Sequence, residues 1–189
     1  ACRLALDDDA PRLVWADMIG GERGELVVLQ CDLARGGLAP AQAAARRRRE
    51  RELLAKYGKD WTGLARFASR WEFRRGFVEA AAISLTAFVE HSDEIFAAAP
   101  LLVSLTAEGL TGAYHDDDGM HRGPQALALL KRLFESAGFW RLHGLDLQRA
   151  GVEEHGGGGY GRMFTGVGDE AAALLAESGA LAHLRALGI

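Results

Sequence analysis

The segment His115-Asp116-Asp117-Asp118-Gly119-Met120-His121 is the densest set of potential metal ligands in the chain. Imidazoles and carboxylates suit a divalent cation, and a metal-dependent hydrolase could be built on such a loop. The spacing does not fit that chemistry: an EF-hand alternates its ligands and closes on a Glu, and this run does neither. The segment therefore reads as a solvated loop. Gly156 to Gly159, followed by Tyr160-Gly161, has the composition of a phosphate cradle. It lacks both a Walker lysine and an acidic Rossmann partner, so a flexible insertion is expected. Arg46 to Arg49 could face nucleic acid, but Glu50 and Glu52 follow at once. Helical ion pairing at spacings of three and four is then available. Asp17 sits beside Trp15 without a nucleophile or second carboxylate, so a salt bridge to Arg12 or Arg23 is expected. Arg74 and Arg75 flank a turn glycine and are expected to pair with Glu72 or Glu79, while Cys31 reads as a small core residue.

The elements that must carry these residues follow from periodicity. Asp7 to Asp9 before Ala10-Pro11 marks a helix start, and Leu13, Val14, Trp15, Met18 and Ile19 give it an apolar face, stopped by Gly20-Gly21. A second helix is expected from about Arg23 to Arg35 and a third from about Pro40 to Tyr57, closed by Gly58. Around Arg74, Arg75 and Gly76 the pattern becomes strand, turn, strand. Thr86 to Ala99 is expected to be helical with Thr86 as its N-cap, as are Gln125 to Gly138 and Glu170 to Gly179.

After Pro100 the chain repeats L-x-x-L-x-(apolar). The copies are Leu102, Leu105, Ala107; then Leu142, Leu145, Leu147; then Leu184, Leu187, Ile189, with a looser one at Ala80, Ile83, Leu85. Steps of about 22, 40 and 42 residues suit leucine-rich-type units, the longer two carrying insertions at His115 to Gly123 and Glu153 to Gly168. One such unit cannot bury its leucines alone, whereas stacked units can. The expected fold is α/β: a helical cap over 1–70, then a short leucine-rich-repeat-like solenoid with a parallel sheet over 71–189, read as cut short at its C-terminus.

Leu13-Val14-Trp15-Ala16-Asp17-Met18-Ile19, then Arg23-Gly24-Glu25-Leu26-Val27-Val28-Leu29-Gln30, resembles the bacterial repeat-companion domain of myxobacteria and planctomycetes. Trp71-Glu72-Phe73-Arg74-Arg75-Gly76-Phe77-Val78 is similar to that family's W-x-F-x-R-G-F segment, although Met18 stands where the family usually has Trp. The resemblance covers about residues 1 to 110. It implies a helical cap on a repeat array inside a larger protein, and no catalytic activity.

Composition narrows the rest. The 189 residues are 49% hydrophobic, with 22 basic and 26 acidic side chains and a net charge of −4. A real core is possible, and general attraction to nucleic acid or an anionic membrane is not expected. The two cysteines, Cys2 and Cys31, form neither a zinc nor a disulfide pattern, and no apolar run reaches the ~18 residues of a membrane span. A cytoplasmic protein without cofactor is expected. Its function would be recognition or scaffolding in a bacterial signalling or defence assembly. Another protein would bind the concave face at Ser84, Ser104, Thr106, Glu108, His143, Asp146 and Gln148. The rival readings are a nucleic-acid adaptor using the basic segments, a metal-dependent enzyme at His115–His121, and self-association through the open repeat end.

Overall fold

The computed structural model describes residues 6–109, 113–116, 119–122, 124–147 and 168–188. Three helices come first: α1 (Ala10–Ile19), α2 (Gly21–Arg35) and α3 (Pro40–Thr62). Pro lies in the first turn of both α1 and α3, where a missing N–H costs nothing. α3 does not stop at Gly58. It runs on because Trp61 packs on the core and Thr62 is buried, and the left-handed residue that ends it is Gly63, at φ +64°.

The strands β1 (Ala68–Arg74) and β2 (Phe77–Ser84) form an antiparallel hairpin. Its two turn residues, Arg75 and Gly76, have φ of 47° and 84°. Positive φ at both positions is what a type I′ turn requires, and its twist matches that of the strands. α4 (Leu85–Ala98), β3 (Ser104–Glu108), α5 (Pro124–Glu135), β6 (Gly144–Asp146), α6 (Gly168–Glu177), a one-turn α7 (Ala180–His183) and β7 (Ala186–Gly188) complete the main layer. Part of the predicted loop from His115 to Gly123 is regular backbone. β4 (Ala113–Asp116) and β5 (Gly119–Arg122) form a separate antiparallel ribbon, in which His115 pairs with Met120 and His121 with Tyr114. The helix expected over 170–179 is α6, which ends at Glu177; the one-turn α7 follows it after Gly179, whose φ is +75°.

The five-stranded sheet has the order β1-β2-β3-β6-β7, and every strand after β2 runs parallel to its predecessor. Leu105 pairs with Leu145, and Leu145 with Leu187, as the repeat predicts. The looser first copy is corrected by two residues: Ala81, not Ile83, lies beside Leu105, and Ile83 lies beside Ala107. The true equivalents are Val78, Ala81 and Ile83, a step of 24 residues to β3. Alanine in the leucine position hid that copy. The linkage between units also repeats: Val103 N–H donates to the Glu79 carbonyl (2.9 Å), His143 N–H to Val103 (2.7 Å) and Arg185 N–H to His143 (2.7 Å).

Each parallel step moves one way across the sheet, and the hand of such crossovers is fixed, so their helices fall on one face. Phe88, Ile95 and Phe96 of α4, Leu130, Leu133 and Phe134 of α5, and Leu175 of α6 share one buried cluster with Ala81, Ile83, Leu105, Ala107 and Leu145. The same cluster takes in Leu26 of α2 and Leu53 of α3. Among the described residues, no helix is long and apolar enough to cross a membrane.

Candidate functional site

Strand alternation sends the neighbours of the buried leucines to the opposite face. Two cross-strand rows result: Glu72, Ala80, Ser104, Gly144, Ala186, and Arg70, Ala82, Thr106, Asp146, Gly188. Their small side chains make a shallow floor. One depression of about 260 Å³ lies over Arg70, Glu72, Ala80, Ala82 and Thr106. Another of about 240 Å³ lies over Ser104, Gly144, Asp146, Ala186 and Gly188. The glycines shape it. A Cβ on Gly144 would sit 3.0 Å from Ser104 Oγ, and one on Gly188 would sit 2.8 Å from Asp146 Oδ1. Both polar groups therefore lean over a neighbouring strand that has no side chain. At the rim, Glu108 accepts from Ser69 Oγ (2.7 Å) and pairs with Arg70 (3.6 Å).

Of the seven predicted contact residues, Ser104, Thr106, Glu108 and Asp146 lie on this face. Ser84 pairs with Glu108 at its edge, but its hydroxyl caps α4, accepting from Ala87 N–H at 3.1 Å. That is the cap expected at Thr86. Ser84→Ala should cost about 1 kcal/mol of stability, read as a lowered melting temperature. His143 does not join the face. It precedes β6, and its ring lies 6.2 Å from that of His183; burial lowers its pKa, helped by Arg185 and His183. Gly144 holds the place assigned to it. Gln148 lies outside the described residues, as does the Gly156–Gly161 run. Sequence reasoning missed Arg70, Glu72, Ala80, Ala82, Gly144, Ala186 and Gly188. Counting one residue either side of each central leucine finds the last three.

The other candidate groups are committed to structure. Arg12 pairs not with Asp17 but with Glu79, at 2.6 Å inside the protein, and Asp17 is exposed. Burial pushes the Glu79 carboxyl up, against the pull of Arg12. Arg74 pairs with Glu72 as expected, whereas Arg75 pairs with Asp9 (3.0 Å) and Asp7 (3.7 Å). Arg48 and Arg49 reach Glu52, and the basic run is also tied to α2 through Arg46 to Asp32 (2.8 Å) and Arg49 to Glu25 (2.7 Å). Glu50 instead accepts from Gln30 (2.6 Å). Cys31 is fully buried and its thiol is pushed up to about 11, first by burial and then by Asp9. Among the described residues no three His, Cys, Asp or Glu side chains are placed to hold a metal ion; the side chains of His115 to His121 lie outside them.

The conspicuous N-terminal motifs are packing devices. Gly24 lets α1 and α2 touch, since a Cβ there would lie 2.6 Å from the Ala16 carbonyl. Gln30 clamps the hairpin, donating to the Phe73 carbonyl (3.0 Å) and accepting from Gly76 N–H (2.7 Å). No protein-family model, no curated protein and no solved structure matches this chain.

Proposed function

We propose that this chain is a protein-recognition module, the repeat-bearing part of a larger bacterial assembly, and that it binds another protein through the helix-free face of its sheet. The observation that carries the reading is the floor of small and polar residues left when α4, α5 and α6 all pack on the other face. A flat floor with hydroxyl, carboxylate and guanidinium groups at its rows suits a protein surface better than an enclosed small molecule, which needs a deep, mostly apolar cavity. The nucleic-acid alternative is less favoured, because Arg46, Arg49, Arg74 and Arg75 are engaged by carboxylates. The bacterial setting rests on the N-terminal resemblance, and the cytoplasmic one on the two cysteines that form no disulfide pattern.

The test is capture from host lysate, followed by direct titration of the recovered partner against parent chain and a Thr106→Arg/Asp146→Arg variant. The expected result is at least a tenfold weaker Kd for the variant with an unchanged melting temperature, since two bulky cations would then stand in the middle of the floor. Equal affinity would refute the sheet-face reading.

A further inference from the structure

Among the described residues, Arg23 is surrounded by rings and meets no hydrogen-bond acceptor. Its guanidinium carbon lies 5.0 Å from the ring centres of Trp61 and Phe73 and 5.9 Å from that of Trp15. Three elements, α1, α3 and β1, thus converge on one cation. Nη1 is buried without a hydrogen-bond partner, and among the described residues Arg23 makes no ion pair. The nearby carboxylates on its own helix are engaged elsewhere: Glu22 with the Tyr57 hydroxyl (2.9 Å) and Glu25 with Arg49 (2.7 Å). Burial lowers the Arg23 pKa to about 10, as expected of a cation partly withdrawn from water with no counter-charge beside it. Ring faces recover part of that cost, but they meet the guanidinium plane and leave the Nη1 donors without an acceptor.

The surroundings extend the argument. Trp61 is stacked on Tyr57, with ring centres 4.9 Å apart. Met18 and Ile19, three and four residues beyond Trp15 on α1, lie on the same side of that helix and are 80% and 41% exposed. Trp, Tyr and Arg beside exposed aliphatic side chains is the composition of an interface hot spot. The charge is complementary to only one kind of partner.

We propose that the helical cap carries a second docking surface, centred on Arg23, for a partner-protein segment that presents a carboxylate among apolar side chains. The carboxylate takes the Nε–Nη2 edge of the guanidinium, the edge that is not buried, in a bidentate pair, and its apolar neighbours lie along Trp15, Met18 and Ile19. This surface is independent of the sheet face.

The experiment selects a displayed library of random 12-residue peptides on the full chain. Recovered peptides are then titrated against the parent and against Arg23→Met, Arg23→Lys, Met18→Asp and the Thr106→Arg/Asp146→Arg chain, each with a thermal melt. The expected peptides carry Asp or Glu beside aliphatic or aromatic residues. Arg23→Met should weaken their binding roughly thirtyfold. Changing the peptide's carboxylate to an amide should cost the same, with no further loss in the Arg23→Met background. Met18→Asp, at an exposed site, should weaken binding by repulsion, and the sheet-face variant should bind as the parent does. The proposal is overturned if no acidic–apolar peptide family is recovered, if the amide peptides bind equally well, or if only the sheet-face variant loses binding.

Discussion

Arg12→Met is expected to destabilise the fold by about 3–5 kcal/mol at neutral pH, the cost of breaking a buried ion pair from one side. Arg12 is fully buried. Its Nη2 donates to Glu79 Oε1 (2.6 Å) and to the Leu6 carbonyl (2.9 Å), and its Nη1 donates to the carbonyls of Arg74 (3.2 Å) and Arg75 (3.4 Å). One side chain thereby joins α1, the hairpin turn and β2. Methionine fills much of the volume but supplies no donor, and it leaves the Glu79 carboxylate buried without a cation.

The pH dependence has a definite sign. Burial already raises the Glu79 pKa in the folded chain, so between the unfolded and the folded value the native state binds more protons than the unfolded state does. Stability linked to such a group is present at low pH and is lost as pH rises through the folded pKa. Removing Arg12 raises that pKa further. The deficit of Arg12→Met should therefore be largest near pH 8 and shrink toward about pH 5, as read from urea midpoints at the two values. Arg12→Met/Glu79→Met should recover most of the loss, since an apolar pair of similar volume carries no desolvated charge. A deficit that does not vary with pH would mean that the orphaned carbonyls, not Glu79, dominate.

Arg12 also shows where the sequence could be read and where it could not. The positions of the helices, the hairpin at Arg75-Gly76 and the alignment of Leu105, Leu145 and Leu187 are local or periodic signals, and the sheet follows them. The partner of Arg12 is a long-range choice. Asp17 is nearer in sequence, but five residues carry it about 140° around the helix, so its carboxylate meets solvent, while the hairpin carries Glu79 to Arg12. The misplaced first repeat has a similar cause. Ala81 takes the place of leucine beside Leu105, and a pattern search for leucine prefers Ile83. Of the candidate face, parity supplied Ser104, Thr106, Glu108 and Asp146. His143 was drawn in by its position beside Leu142, which belongs to the turn entering β6 rather than to the strand, so the alternation does not extend to it. The Arg23 box was not legible, because its three rings come from three different elements, α1, α3 and β1, that only the tertiary fold brings together.

The second large effect belongs to Gly76. Gly76→Ala should cost about 3 kcal/mol, in two separable parts. The residue has φ +84°, where a Cβ costs about 1–2 kcal/mol. The new methyl would also lie 2.2 Å from Val27 Cγ2 and 2.9 Å from Val27 Cβ, so the hairpin must shift away from α2, an overpacking cost of about 1–3 kcal/mol. Any such shift stretches the 2.7 Å bond from Gly76 N–H to Gln30 Oε1, which fixes the turn to the helical cap. A double-mutant cycle with Val27→Ala separates the parts. That substitution deletes Cγ2 but leaves Cβ, so only a portion of the steric cost, about 1 kcal/mol, should be recovered beyond additivity. Full additivity would place the whole cost in the backbone conformation. Full recovery would mean that the turn tolerates alanine and that the close approach of Val27 alone demands glycine.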